Sequence, residues 1–197
     1  MTNGFLFDGA KIILDLCGGT GAWSAPYKEA GYNVLVVTTP GLDVCDFIPP
    51  DNVYGILAAP PCTEFSMARN GHPENPRDFK KGLQIVDACL RIIWRSRPHF
   101  WALENPAGHL SKWLGPPTIF FQPWHFGDPW TKNTALWGDF TPPQRLFRHR
   151  REVMTPADIA LSRENRKPQD CGSGRNKAMK RATTPPGFAR AFFEVNR

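Results

Sequence analysis

Residues 60–66 read Pro60-Pro61-Cys62-Thr63-Glu64-Phe65-Ser66, and further along the chain stands Glu104-Asn105-Pro106. A thiol in a stiff turn, paired with a carboxyl group at the end of a second apolar segment, is the equipment for attack on a pyrimidine ring. The thiolate would be the nucleophile, and a protonated carboxyl would donate to a ring nitrogen. The two prolines fix φ ahead of Cys62 and cut the flexibility of the loop, which pre-organises a nucleophile at little entropic cost. A helix start or a nearby cation would lower the thiol pKa. The plainer alternatives are a buried inert thiol for Cys62 and, for Glu104, an ion pair with a nearby arginine.

The elements that must position these groups alternate in type. An apolar run over 11–16 ends at Cys17-Gly18-Gly19-Thr20-Gly21, and residues 23–30 then form a helix closed by Gly31. Residues 33–37 and 55–59 read as buried strands, the latter halted by Pro60-Pro61. Helical apolar spacing covers 80–95, and 100–103 is the next strand, with Glu104 at its end. The expected fold is therefore α/β, a doubly wound and mostly parallel sheet whose ligands bind beyond the carboxyl ends of the strands. Residues 132–137 read as a hairpin or edge strand, 141–184 as a basic and largely irregular insert, and 187–195 as a helix entered through Pro185-Pro186. Asp43 and Asp46 are placed after a third strand, where they could accept hydrogen bonds from an amine or hydroxyl.

With 197 residues, 41% of them hydrophobic, the chain has material for one well-buried core, and 1–197 reads as a single domain. No run approaches the ~20 apolar residues that cross a bilayer, so no membrane partner is expected. The five cysteines are odd in number and form no CxxC pair, which argues against a zinc site or a disulfide framework. No metal is expected. Cys17 and Cys89 read most simply as small core residues. Charge is divided unevenly: 11 Lys and Arg face 13 Asp and Glu before residue 141, and 13 face 5 from there on, a net of −2 followed by +8. The cluster Arg145, Arg148, Arg150 and Arg151, continued by Lys180 and Arg181, would suit a polyanion such as nucleic acid, or else be a solvated basic tail.

The glycine turn does not fit the dinucleotide or P-loop patterns. Residues 15–21, however, resemble the S-adenosylmethionine turn of DNA cytosine C5 methyltransferases. Pro61-Cys62-Thr63-Glu64-Phe65-Ser66 resembles that family's Pro-Cys-x-x-Phe-Ser nucleophile loop, and Glu104-Asn105-Pro106 its Glu-Asn-Val. Order and spacing agree over about residues 11–140 and, weakly, 181–197. The resemblance implies a Rossmann-like methyltransferase fold and methyl transfer from S-adenosylmethionine to C5 of cytosine in double- or single-stranded DNA. Cys62 would add to C6, Glu104 would engage N3, and Lys132 would support the base or the loop. It further implies Asp15, Cys17, Gly18, Gly19, Gly21, Asp43, Pro61 and Thr184 at the cofactor and Ser66 at the nucleic acid, in a protein of the bacterial or phage-infected cytoplasm.

The chain also departs from that family. No acidic residue follows the second strand to hold a ribose, Lys132 and Thr134 stand where Gln-x-Arg-x-Arg belongs, and residues 182–186 lack the late Gly-Asn. The basic insert 141–184 takes the place of a target-recognition domain, with 185–197 packing back as a C-terminal helix. Such an insert can grip phosphates but offers few base-reading contacts, so low sequence specificity is expected, as would suit a phage or mobile-element enzyme. The competing readings are an RNA cytosine transferase, a transferase using a carboxylated donor recognised by Lys180 or Arg181, and an inactive nucleic-acid-binding homologue. A partner subunit carrying the missing recognition domain, or a homo-oligomer, belongs with these.

Overall fold

The structure, a computed structural model, describes residues 11–67, 70, 74, 76–156 and 183–197. Its centre is a six-stranded sheet in the order β2-β1-β3-β4-β6-β5. The strands are β1 (Ile12–Leu16), β2 (Asn33–Val37), β3 (Val53–Ala58), β4 (Phe100–Pro106), β5 (Ile119–Phe121) and β6 (Thr134–Asp139). β1 to β4 pair in parallel, while β6 runs antiparallel to both β4 and β5. This is the doubly wound, mostly parallel α/β sheet that the alternating pattern predicts.

Strand side chains alternate between the two faces, so neighbouring residues enter different cores. Leu14, Leu16, Ile56, Ala58 and Leu103 pack on one face with Val86, Cys89, Ile92 and Ile93 of helix α2 (Phe79–Ser96). The apolar residues of α2 recur at helical spacing, and Asp78 Oδ1 caps its start by accepting from Lys81 N at 2.9 Å. On the other face, Ile13, Leu57, Ala102 and Leu136 meet Tyr27 of helix α1 (Ala25–Glu29) and the preceding Trp23. A short helix α3 (Ser111–Leu114) follows β4, and the final helix α4 (Pro186–Val195) closes the second core. Phe188 of α4 stacks on Phe121 with ring centroids 4.0 Å apart, and Phe192 meets Trp23 edge-on at 5.5 Å.

Several expectations need correction. The first helix is shorter than 23–30. No strand lies between Val37 and Val53, so Asp43 and Asp46 sit in the connection after β2, where Pro40, Pro49 and Pro50 deny a ladder its donors. Glu104 is inside β4, which runs on to Pro106, rather than at its end, and lies opposite Leu136. The segment beginning at Lys132 becomes an interior strand, because the three-residue β5 pairs outside it. β5 is too short, and too closely framed by prolines, to leave a pattern. Residues 141–155 are irregular apart from a 3-10 turn at Arg150–Val153. Among the described residues no helix is long and apolar enough to cross a membrane.

The second core sets a testable stability. Phe188 is fully buried, whereas Trp94 on α2 is 62% exposed. Phe188→Ala is expected to lower the unfolding free energy by about 3–5 kcal/mol and Trp94→Ala by less than about 1 kcal/mol, both read by urea denaturation.

Candidate active site

Proline has no N–H, so the ladder of β3 must stop at Pro60-Pro61. Ala59 N still donates to Leu16 O at 2.9 Å, and the Pro60 carbonyl is then taken by a side chain: Asn105 Nδ2 donates to it at 3.0 Å, in a fully buried position. That bond fixes the start of the cysteine loop to the end of β4. Beyond it the chain turns, with Cys62 O accepting from Phe65 N at 3.0 Å and Ser66 N at 2.9 Å. Phe65 is fully buried beside Phe79 and Trp113, and its carbonyl accepts from His109 N at 2.9 Å. Gly108 permits this approach, because a Cβ there would stand 2.4 Å from Phe65 O. Cys62 is left half-buried.

Glu104 is 8% exposed, and its Oε1 lies 3.0 Å from Lys132 Nζ. The partner is thus a lysine from the segment before β6, where the sequence suggests an arginine. Lys132 is itself anchored, its backbone N donating to Gln122 Oε1 at 3.0 Å. A carboxylate this deep is tolerable because a cation accompanies it.

At the end of β1, Asp15 is fully buried. Ser24 Oγ donates to its Oδ2 at 2.6 Å, and its Oδ1 is buried without a hydrogen-bond partner among the described residues. Burial pushes the Asp15 carboxyl up to about 6, against a smaller opposing effect of the Ser24 hydroxyl. The turn above it is tight: Gly21 N donates to Gly18 O at 2.9 Å, and a Cβ on Gly18 would stand 2.3 Å from the Asp15 carboxyl. Cys17, Gly19 and Gly21 all have positive φ, 56°, 55° and 72°. Asp43 is exposed, and its Oδ1 accepts from Cys45 N at 2.9 Å.

These pieces surround one cleft of about 990 Å³. Asp15, Cys17, Gly18, Gly19, Asp43, Pro61, Cys62, Ser66, Glu104, Lys132 and Thr184 all line it, so the glycine turn, the thiol and the carboxyl face a common space. Cys17 is therefore a wall residue, half-buried, whereas Cys89 is fully buried. Gly21 shapes the turn without lining the cleft. The basic cluster does not line it either. Arg145 donates to Phe120 O at 3.0 Å and Arg150 to Pro129 O at 2.8 Å, while Arg148 and Arg151 are exposed. Lys180 and Arg181 lie outside the described residues, as does the middle of the basic insert.

Sequence reasoning misses Asn105 as an anchor, although it quotes the motif that contains it, and it misses Gln122, Thr131 and Asn133 on the same wall as Lys132. Thr38 and Thr39 line the cleft where an acidic residue is lacking. Among the described residues no group of three or more His, Cys, Asp or Glu could hold a metal ion.

The fold is a mostly parallel α/β sheet with a cleft that the glycine turn, Cys62 and Glu104 share. No family model matches the chain. A curated relative, the Type II methyltransferase M.DdeI of Desulfomicrobium norvegicum, is 29% identical over 123 residues, covering 50% of this chain. The chain spans only 28% of that relative's length. Among solved structures it is similar to a prophage-encoded DNA modification methyltransferase from E. coli, with a TM-score of 0.47, 18% identity, and coverage of 66% of this chain and 47% of the other. The curated relative supports the methyltransferase resemblance carried by the motifs.

The buried aspartate makes stability depend on pH in a defined direction. Its folded pKa of about 6 exceeds the ordinary 3.8, so the folded state holds the proton more tightly than the unfolded chain. The stabilisation is complete below pH 3.8 and is lost as the pH rises through about 6. Relative to Asp15→Asn, the wild type is expected to lose on the order of 2–3 kcal/mol between pH 4 and pH 7, measured by urea denaturation of both proteins across that range.

Proposed function

We propose that this chain transfers a methyl group from S-adenosylmethionine to C5 of cytosine in DNA, through a covalent bond between Cys62 and C6 of the base. The observation that carries the reading is the single cleft shared by Cys62, Glu104 with Lys132, and the glycine turn. The similarity to a type II methyltransferase over half of the chain points the same way.

The residues at the end of β1 fit the cofactor. Gly18 leaves bare backbone over Asp15, Asp15 Oδ1, without a hydrogen-bond partner among the described residues, is an acceptor at that spot, and Val37, Leu42 and Val44 give an apolar wall. Asp15, Cys17, Gly18, Gly19, Asp43, Pro61 and Thr184 would hold the cofactor, with Gly21 shaping the turn. When bound, S-adenosylmethionine supplies a methyl group activated by its sulfonium.

Cys62 Sγ, as the thiolate, forms a bond to C6 of the ring, and the displaced electron pair makes C5 nucleophilic. Glu104, carrying a proton in the reacting state, donates it to N3, which accepts the density that the attack creates, and takes it back from N3 when the methylated ring is restored. Lys132 adds a cation to the same wall and holds the carboxyl in place. After C5 has gained the methyl group, loss of the C5 proton to water restores the C5–C6 double bond. The C6–S bond breaks in that step and returns the electron pair to Cys62. Because C5 and C6 are shielded within a duplex, the target base is flipped out or already single-stranded.

Low sequence specificity is part of the reading: phosphate contacts from the basic residues, with Ser66 meeting the nucleic acid from the cleft wall, give affinity without choosing a sequence. A DNA oligonucleotide containing 5-fluorocytosine, which cannot lose a proton from C5, is expected to form a covalent adduct with the wild type in the presence of cofactor. Cys62→Ala is expected to form none, and Glu104→Gln to form it about 10²-fold or more slowly. No adduct with the wild type would sink the proposal.

A further inference from the structure

The turn that carries Cys62 is closed on its inner side by its own backbone. At its far end the carbonyls of Glu64 and Ser66 share one donor: Arg77 Nη1 donates to Glu64 O at 2.7 Å, and Arg77 Nη2 donates to Ser66 O at 2.8 Å and to Asn70 Oδ1 at 2.7 Å. A guanidinium presents these N–H groups in a rigid planar fork, so the two carbonyls are fixed relative to each other, which a single ammonium cannot do. The junction is doubled by the adjoining residues. Glu64 Oε2 accepts from Asp78 N at 2.7 Å, and Asp78 Oδ1 is the cap of α2. Arg77 is half-buried and does not line the cleft, so its position offers no direct contact with a ligand there.

We propose that Arg77 is a positioning residue for Cys62: its fork pins the turn of residues 62–66 to the start of α2 and so holds the thiol at a fixed place in the cleft. This rests on the reading of Cys62 as the nucleophile. A displacement of about 1 Å at a reacting atom can cost about 10²-fold in rate. Two opposite effects follow from cutting the fork. The turn opens more often, exposing the half-buried thiol, and the thiol spends less time where it can attack a base.

The test compares wild type, Arg77→Ala and Arg77→Lys in two assays. In the ligand-free protein, alkylation of Cys62 by iodoacetamide is followed by mass spectrometry from pH 7 to pH 9.5. In the second assay, adduct formation with 5-fluorocytosine DNA is followed at saturating cofactor. Arg77→Ala is expected to alkylate about fivefold or more faster and to form the adduct about tenfold or more slowly, with cofactor affinity by calorimetry within about twofold of wild type. Arg77→Lys, which keeps the charge without the fork, is expected to fall between them in both assays, and it decides the matter where the alanine variant does not fold. Alkylation unchanged in both variants overturns the proposal. So does a lysine variant that equals the wild type in both assays, since charge alone would then suffice. If wild type forms no adduct, the proposed function fails, while the alkylation assay still decides whether Arg77 holds the turn.

Discussion

Strands β3 and β4 pair in register only from Gly55 opposite Phe100 to Ala58 opposite Leu103. Past that point β3 runs into two prolines that cannot donate, and the two chains would be free to splay. The side chain of Asn105 takes over where the ladder ends, donating to Pro60 O at 3.0 Å in a place without solvent. In low dielectric such a bond is strong and costly to leave unmade. Because Asn105 follows Glu104 directly and Pro60 precedes Cys62 by two, this bond sets the position of thiol relative to carboxyl. The rest of the cleft is arranged around that relation.

The remaining restraints reach the loops that line the cleft from helix α2 and its approach. Arg77 fixes the cysteine turn, and Arg91, on α2, donates to Val44 O at 3.1 Å and Cys45 O at 3.0 Å in the connection that carries Asp43. The helix is held against the sheet by Val86, Cys89, Ile92 and Ile93, so one apolar contact face lends rigidity to both walls of the cleft. The opposite face uses aromatic packing among Trp23, Phe121, Phe188 and Phe192 to seat α4, which brings Thr183 and Thr184 to the cleft rim.

Much of the site was legible in the sequence because its residues stand at or near the ends of buried strands, and glycine, proline and apolar runs mark those ends by local chemistry. Cys62, Glu104 and residues 15–21 are recognisable for that reason, and so is the amphipathic α2. What could not be read depends on contacts between distant segments. Nothing near Arg77 announces that it reaches back 13 residues to Glu64 O, and nothing near Lys132 announces a partner in β4. Residues 132–137 read only as a hairpin or edge strand because the three residues of β5, which flank β6 on the far side, have no periodicity of their own. The basic cluster was legible as charge, yet charge alone does not tell that Arg145 and Arg150 satisfy backbone carbonyls.

The central claim is that one cleft brings a methyl donor and Cys62 to the same cytosine. It is tested most directly by incubating the purified protein and S-adenosylmethionine with unmodified DNA and sequencing the product for modified bases. The account predicts 5-methylcytosine spread over many sequence contexts. Unmodified DNA, methylation on adenine, or a modification confined to one palindrome of several bases would contradict it, the last of these in its reading of the basic insert.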